Sequence, residues 1–144
     1  MNQVTNFTDV VKAILYRHAQ TSLRERWEEA IASGLKPIAF WVRESSDLVN
    51  IAWMNKSGIW DITWYPKSNT SAFAFARLST ITGFESRAGA DAVKQSGLVV
   101  SGIYTVEVFA GTSRGGGFIW AATSEEESGL RDFVSKLAEL LLEV

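Results

Sequence analysis

The chain has 144 residues, of which 47% are hydrophobic and 21% are charged, and this balance is ordinary for one globular domain spanning residues 1–144. Its 14 basic and 16 acidic residues give a net charge of −2, so the molecule as a whole does not attract nucleic acid or an anionic membrane. The absence of cysteine excludes disulfides, thiolate metal sites and cysteine nucleophiles, and we expect no bound cofactor.

The N-terminal part of the chain is predicted to be helical, and the protein is predicted to be cytoplasmic. It lacks the charged and apolar regions of a secretory signal, and no apolar run reaches the length of a bilayer span. Residues 7–33 carry apolar side chains at helical spacing, and Gly34 is typical of a helix C-cap. Ser22 followed by Glu25 matches a capping box, which leaves open whether the segment is one helix or two. We treat residues 1–35 as an N-terminal helical extension.

A change to alternating apolar residues after this extension predicts an antiparallel meander. Its first three strands are expected at 38–43, 48–54 and 59–65. In the third strand Trp60, Ile62 and Trp64 alternate with Asp61 and Thr63. That alternation predicts a sheet with one packed face and one solvated face.

The second half of the chain predicts more strands and a final helix. Residues 72–87 are long for one strand, so we expect a bend or bulge near Arg77. Further strands at 99–109 and 118–123 give about seven in all. Ser124 with Glu127 matches another capping box, and the stripe after it predicts an amphipathic helix. The stripe consists of Leu130, Phe133, Val134, Leu137, Leu140, Leu141 and Val144.

The predicted fold class is therefore α+β. It consists of a bent antiparallel sheet or partly open barrel of about seven strands, with a C-terminal capping helix and an added N-terminal helical region. This order of elements resembles the pleckstrin-homology-like superfold over residues 36–144. The passages ARLSTITGFESRAG and FIWAATSEEESGLRDFVSKL are similar to the middle of such domains and to their last strand and helix entry. The resemblance implies a bent sheet whose open corner is filled by the helix.

The resemblance does not carry over a phosphoinositide site. In the first predicted hairpin Arg43 stands beside Glu44 and Asp47, and a doubly acidic turn repels phosphate. The other basic side chains are scattered among acids, so no strong membrane binding is expected. An alternative architecture places a helix on each side of the sheet, similar to profilin.

A serine in a glycine-rich segment matches the pattern of a hydrolase nucleophile. Residues 111–115 read Gly-Thr-Ser-Arg-Gly, which fits G-x-S-x-G. An extended segment rather than a helix is expected after it, and His18, the only histidine, precedes it in the chain. We therefore interpret Ser113 as part of a hairpin loop.

No catalytic or metal-binding residue is predicted elsewhere. A single histidine cannot form a two-histidine metal site, and His18 is interpreted as a structural or partly exposed side chain. Asp61, Glu85 and Glu107 fall in predicted strands and are the carboxylates that could line a catalytic pocket. Acids are also ordinary on the solvated face of a meander, which is the interpretation we prefer.

The candidate binding residues are one tryptophan and three basic side chains. Trp41 lies between Phe40 and Val42, both predicted to be core residues, so the alternation predicts that Trp41 faces outward. An exposed tryptophan with Arg43 nearby suits a protein interface. Two further binding candidates, in or beside predicted turns, are Lys56 and Arg114.

The leading functional hypothesis is a non-enzymatic interaction module that binds a protein or peptide partner. Binding to a second copy of the chain is left open, and nucleic acid is not expected as a partner. The alternative is a small-molecule-binding or catalytic α+β domain in which the aromatic sheet forms a pocket.

Overall fold

A computed structural model describes residues 7–18, 21–32, 36–89, 103–111 and 117–143. Within these residues the chain has three α-helices and seven antiparallel strands in two sheets that do not close, which confirms the predicted α+β class. The chain divides into two compact units, Met1–Phe75 and Ala76–Val144. The single domain expected over residues 1–144 stays a prediction.

Two helices and a four-stranded sheet in the order β1-β2-β3-β4 form the first unit, which ends within the last of these strands. The elements are α1 (Phe7–Arg17), α2 (Ser22–Ala32), β1 (Ala39–Glu44), β2 (Val49–Met54), β3 (Gly58–Tyr65) and β4 (Thr70–Arg77). Residues 7–32 thus form two helices rather than one. The first three strands lie within one residue of their predicted positions at either end, because their alternation is a local property of the sequence.

One face of the four-stranded sheet packs against α1 and α2 through a cluster of aromatic rings. Phe40, Trp53 and Trp60 form one cross-strand row on this face. The ring of Phe7 in α1 lies 5.3 Å from that of Trp53, and the ring of Trp27 in α2 lies 5.8 Å from it. Large rings in such tilted and edge-to-face contacts bury much apolar surface, so this cluster is the core of the first unit.

Over β1 to β3 the other face of this sheet is also buried, so the prediction of one solvated face is wrong there, whereas the residues of β4 are exposed or half-buried. All six residues of β2 are buried, and Asn50 and Asp61 are only 2% and 9% exposed. The Asn50 amide donates to Asp61 Oδ1 at 2.8 Å and to the Ile62 carbonyl at 2.9 Å, while the Thr63 hydroxyl donates to Asp61 Oδ2 at 3.0 Å. These hydrogen bonds compensate the polar groups for the loss of water.

Asn69, in the turn between β3 and β4, caps the start of α2. Its backbone is left-handed, with φ of 52°, a conformation that asparagine tolerates well. Its Oδ1 accepts the Ser22 amide N–H at 3.0 Å and the Trp64 indole N–H at 2.9 Å. The Ser22 hydroxyl donates to the Asn69 carbonyl at 2.9 Å. A side chain from a distant turn therefore takes the place of the capping box expected from Ser22 and Glu25.

The second unit contains a three-stranded sheet and the C-terminal helix. Its elements are β5 (Ile81–Ala88), β6 (Tyr104–Ala110), β7 (Gly117–Ala122) and α3 (Glu127–Glu143), with β6 in the centre of the sheet. A short 3-10 helix over Leu78–Thr80 separates β4 from β5, so the predicted bend near Arg77 is confirmed. Strand β7 follows the glycine-rich segment, as expected for a hairpin.

The apolar stripe of α3 covers one face of the three-stranded sheet. Leu130, Phe133, Val134, Leu137 and Leu140 are buried, and the Phe133 ring meets Trp120 edge-to-face at 5.2 Å. The turn before the helix is closed by Thr123 and Glu126, one residue before the predicted Ser124 and Glu127. Glu126 Oε1 accepts both the amide and the hydroxyl of Thr123 at 2.9 Å.

Replacement of Phe133 tests the packing of α3. Phe133 is 2% exposed, so Phe133→Ala should leave a cavity and lower the free energy of unfolding by about 3–5 kcal/mol. Denaturant titration measures this change. Leu142→Ala is the matched control, because Leu142 is 88% exposed on the same helix and its truncation should change the free energy by less than about 0.5 kcal/mol. Equal effects of the two substitutions would contradict the packing.

Replacement of Asn69 tests the cap of α2. Asn69→Ala removes the acceptor of two N–H groups and disfavours the left-handed backbone, so it should cost about 1–2 kcal/mol in denaturant titration. Asn69→Asp keeps an acceptor oxygen and a tolerance for positive φ, and it should stay close to the wild type. If the denaturation midpoint of Asn69→Ala equals that of the wild type, the cap contributes nothing to the free energy of unfolding.

Candidate functional site

The predicted site residues do not form one exposed surface. Trp41 is 4% exposed and Arg43 is 1% exposed, so the prediction that Trp41 faces outward is wrong. The physical reason is that both faces of the sheet are buried over β1 to β3, and alternation then no longer separates buried positions from exposed positions. Lys56 is exposed in the turn between β2 and β3, whereas Arg114 and Ser113 lie outside the described residues. A role for these residues in binding or catalysis stays untested.

His18 lies in an ion-pair cluster at the C-terminal end of α1. Its Nε2 is 2.7 Å from Glu44 Oε2, and the same carboxylate oxygen accepts Arg17 Nε at 2.9 Å. The His18 ring also packs at 4.9 Å from the ring of Trp64. The hydrogen bond from Arg17 is the largest cause of a lowered pKa of Glu44, and burial partly opposes it. The ion pairs of this cluster link the C-terminal end of α1 to the end of β1. Basic side chains at the C-terminal end of a helix also interact favourably with the helix dipole.

Two of the carboxylates considered for catalysis stand opposite each other in the three-stranded sheet. Glu85 of β5 is the direct cross-strand partner of Glu107 of β6. Glu85 Oε1 accepts Arg87 Nε at 2.5 Å. Within the described ranges no side chain forms an ion pair with Glu107. Like charges at directly opposed positions destabilise a sheet, and Arg87 offsets part of this repulsion at Glu85.

The same face carries exposed apolar side chains, and we call Glu85, Glu107, Phe109 and Ile119 the outer sheet face. Ile119 of β7 is the direct partner of Glu107, and Phe109 follows Glu107 by two residues along β6. Phe109 and Ile119 are each 40% exposed. Residues of the opposite parity, such as Trp120, are buried against α3. The outer sheet face therefore lies on the side of this sheet opposite the helix. It is only part of that side, because Thr105 and Ala121 have the same parity and are buried.

Glycines on both sides leave the Phe109 ring open. Phe109 pairs with Gly83 on β5 and with Gly117 on β7, so neither neighbouring strand places a side chain beside it. A Cβ atom at Gly117 would lie 2.1 Å from the carbonyl oxygen of Val108, and only glycine fits there. A Cβ atom at Gly83 would meet nothing within 4 Å, which shows that the space next to the ring is free.

Other large apolar side chains are exposed elsewhere among the described residues. Tyr16, Ile31 and Leu142 lie on helices, Phe75 lies in the edge strand β4, and Ile38 and Ile103 lie outside the helices and strands. Single exposed residues of this kind are normal on a protein surface. The outer sheet face differs because two apolar side chains and two carboxylates share one rigid sheet surface. The sequence contained a signal for it, since Phe109 has the same parity as Glu107 in β6 and so occupies a position that the alternation assigns to the polar side.

Comparisons with known proteins found no relative of this chain. No family model matches the chain, and no curated protein or solved structure matches it. Within the part of the chain that the structure describes, no group of three or more His, Asp or Glu side chains could hold a metal ion. No helix in that part is long and apolar enough to cross a membrane.

The lowered pKa of Glu44 gives its ion pair a defined pH dependence. A carboxyl whose folded pKa lies below its unfolded value of about 4.3 stabilises the fold above that value. The contribution is lost as the pH falls through the lower folded pKa. The loss of stability caused by Glu44→Gln, measured by urea titration, should therefore be larger at about pH 6 than at about pH 3. An equal loss at both values would contradict the ion-pair interpretation.

Proposed function

We propose that this chain is a non-enzymatic binding module whose outer sheet face contacts a protein partner. The observation that carries the proposal is the exposure of Phe109 between two glycines, on the side of the sheet opposite α3. Aromatic side chains are enriched among the residues that dominate interface energetics, since one ring buries a large apolar area. An open ring is suited to insertion into an apolar pocket of a partner.

The position of Phe109 within a paired strand supports the same proposal. Strand β6 is paired on both sides, so the backbone that carries Phe109 is already ordered before a partner binds. A ring on a preordered strand loses less conformational entropy on binding than a ring on a loop. Ile119, its direct partner Glu107 and Glu85 one strand further along give the mixture of apolar and polar groups found in non-obligate interfaces.

Catalysis is not favoured at the carboxylates of the first unit. Both oxygens of Asp61 accept hydrogen bonds within the sheet, and the Glu44 carboxylate is held by Arg17 and His18. A general base needs a lone pair directed at the substrate, and these contacts occupy both groups. The resemblance to the pleckstrin-homology-like superfold stays a proposal, supported by the order of seven antiparallel strands before one helix.

Truncation of the exposed ring tests the proposed surface. Immobilised wild type should retain a specific protein from an extract of its native host, and Phe109→Ala should lose most of that retention, because it removes the apolar contact at the centre of the face. Circular dichroism and thermal unfolding verify that the variant is folded. The control is Leu142→Ala, which truncates an exposed apolar side chain on α3. Equal retention by Phe109→Ala and the wild type would contradict the proposed surface.

A further inference from the structure

We infer that the segment bound by the outer sheet face is cationic and carries a lysine or arginine next to an apolar side chain. This inference rests on the proposed function and adds the chemistry of the partner. It combines the opposed carboxylates of Glu85 and Glu107 with the exposed side chains of Phe109 and Ile119. With Arg87 included, two carboxylates and one guanidinium leave one net negative charge on this part of the sheet.

The spacing of the two carboxylates suits a single cation. Directly opposed residues in an antiparallel pair have Cβ atoms about 4.5–5.5 Å apart, so one ammonium or guanidinium group can reach both carboxylates. Arg87 forms its ion pair with Glu85, and Glu107 has no ion pair within the described ranges. A cation from the partner would remove the repulsion that the fold carries at this pair.

The apolar neighbours of Glu107 fit the aliphatic stem of a lysine or arginine side chain from the partner. Ile119 lies directly across from Glu107, and Phe109 follows two residues along the strand, about 7 Å away at the usual rise of a strand. Lysine and arginine lay their aliphatic stems along apolar surface while the charged group reaches a polar partner. An arginine could also stack on the open Phe109 ring. The four residues thus form one surface for an amphipathic cation.

The charge of the face disfavours three other partners. A second copy of the chain bound through the same face would bring Glu85 and Glu107 close to their own counterparts, and like charges in an interface reduce affinity. A nucleic acid or an anionic membrane would be repelled by the same carboxylates. A cationic protein segment is the occupant that uses both the charge and the apolar side chains.

The test is selection of random 12-residue peptides displayed on phage against the immobilised full chain. The selected peptides should be enriched in lysine or arginine within three positions of an apolar residue, and Phe109→Ala should abolish their binding. The best peptide is then synthesised as the probe. Glu107→Gln keeps the shape of the side chain but removes its charge. It should lower the affinity for the probe peptide by about 2- to 5-fold at low salt. Added salt should reduce that difference.

Two substitutions at Gly83 form a matched pair. Its Cβ position is open and next to Phe109, so a longer side chain can be accommodated there. Gly83→Lys should lower the affinity for the probe peptide because it adds a positive charge to the surface. Gly83→Glu should bind the probe peptide as tightly as the wild type or more tightly. A steric effect alone would weaken both variants alike, and that result would contradict the inference.

The outcomes separate this inference from the proposed function. If no selected peptide depends on Phe109, the proposed surface is wrong and the inference fails with it. If the peptides depend on Phe109 but are neutral or acidic, or if Glu107→Gln binds the probe as tightly as the wild type, only the cationic partner is wrong. Cationic peptides that are weakened by Phe109→Ala, Glu107→Gln and Gly83→Lys would support both proposals.

Discussion

The edge-to-face contact between Trp120 and Phe133 decides which side of the three-stranded sheet is covered by α3. Successive residues of a strand point to opposite faces, so burial of Trp120 turns Ile119 away from the helix. The same alternation in β6 buries Val108 and exposes Phe109. The core of the second unit and its candidate binding surface are therefore two consequences of one packing arrangement.

The four-stranded sheet of the first unit follows a different pattern. Its aromatic face packs on two helices, and over β1 to β3 its other face, including Trp41 and Asn50, is buried as well. Strands buried on both faces leave few side chains available to a partner, and the exposed Phe75 ring of β4 already packs 4.7 Å from the buried Trp60 ring. Its polar groups, such as Asp61, are satisfied by hydrogen bonds within the sheet and serve stability. We therefore place the candidate surface on the second unit.

The sequence predicted those features that depend on local periodicity. The positions of the first three strands, the bend near Arg77 and the buried stripe around Phe133 were predicted because each is encoded by neighbouring residues. Of the strand predicted at 99–109, β6 covers Tyr104–Ala110, and positions 99–102 lie outside the described residues. The outward orientation of Trp41 was wrong because burial of a second sheet face depends on residues that are distant in the sequence. One local signal was present, since β2 reads VNIAWM, a nearly continuous apolar run typical of a strand buried on both faces. The cap from Asn69 could not be predicted, because it joins residues 47 positions apart.

Hydroxyl-radical footprinting with mass spectrometry tests the central claim most directly, because it measures the accessibility of individual side chains in solution. We expect Phe109 to be oxidised readily in the free chain and Trp41 to be protected. A bound cationic peptide should protect Phe109 and Ile119, while Tyr16 stays reactive. Protection of Phe109 in the free chain, or an unchanged oxidation rate of Phe109 in the peptide complex, would contradict the account.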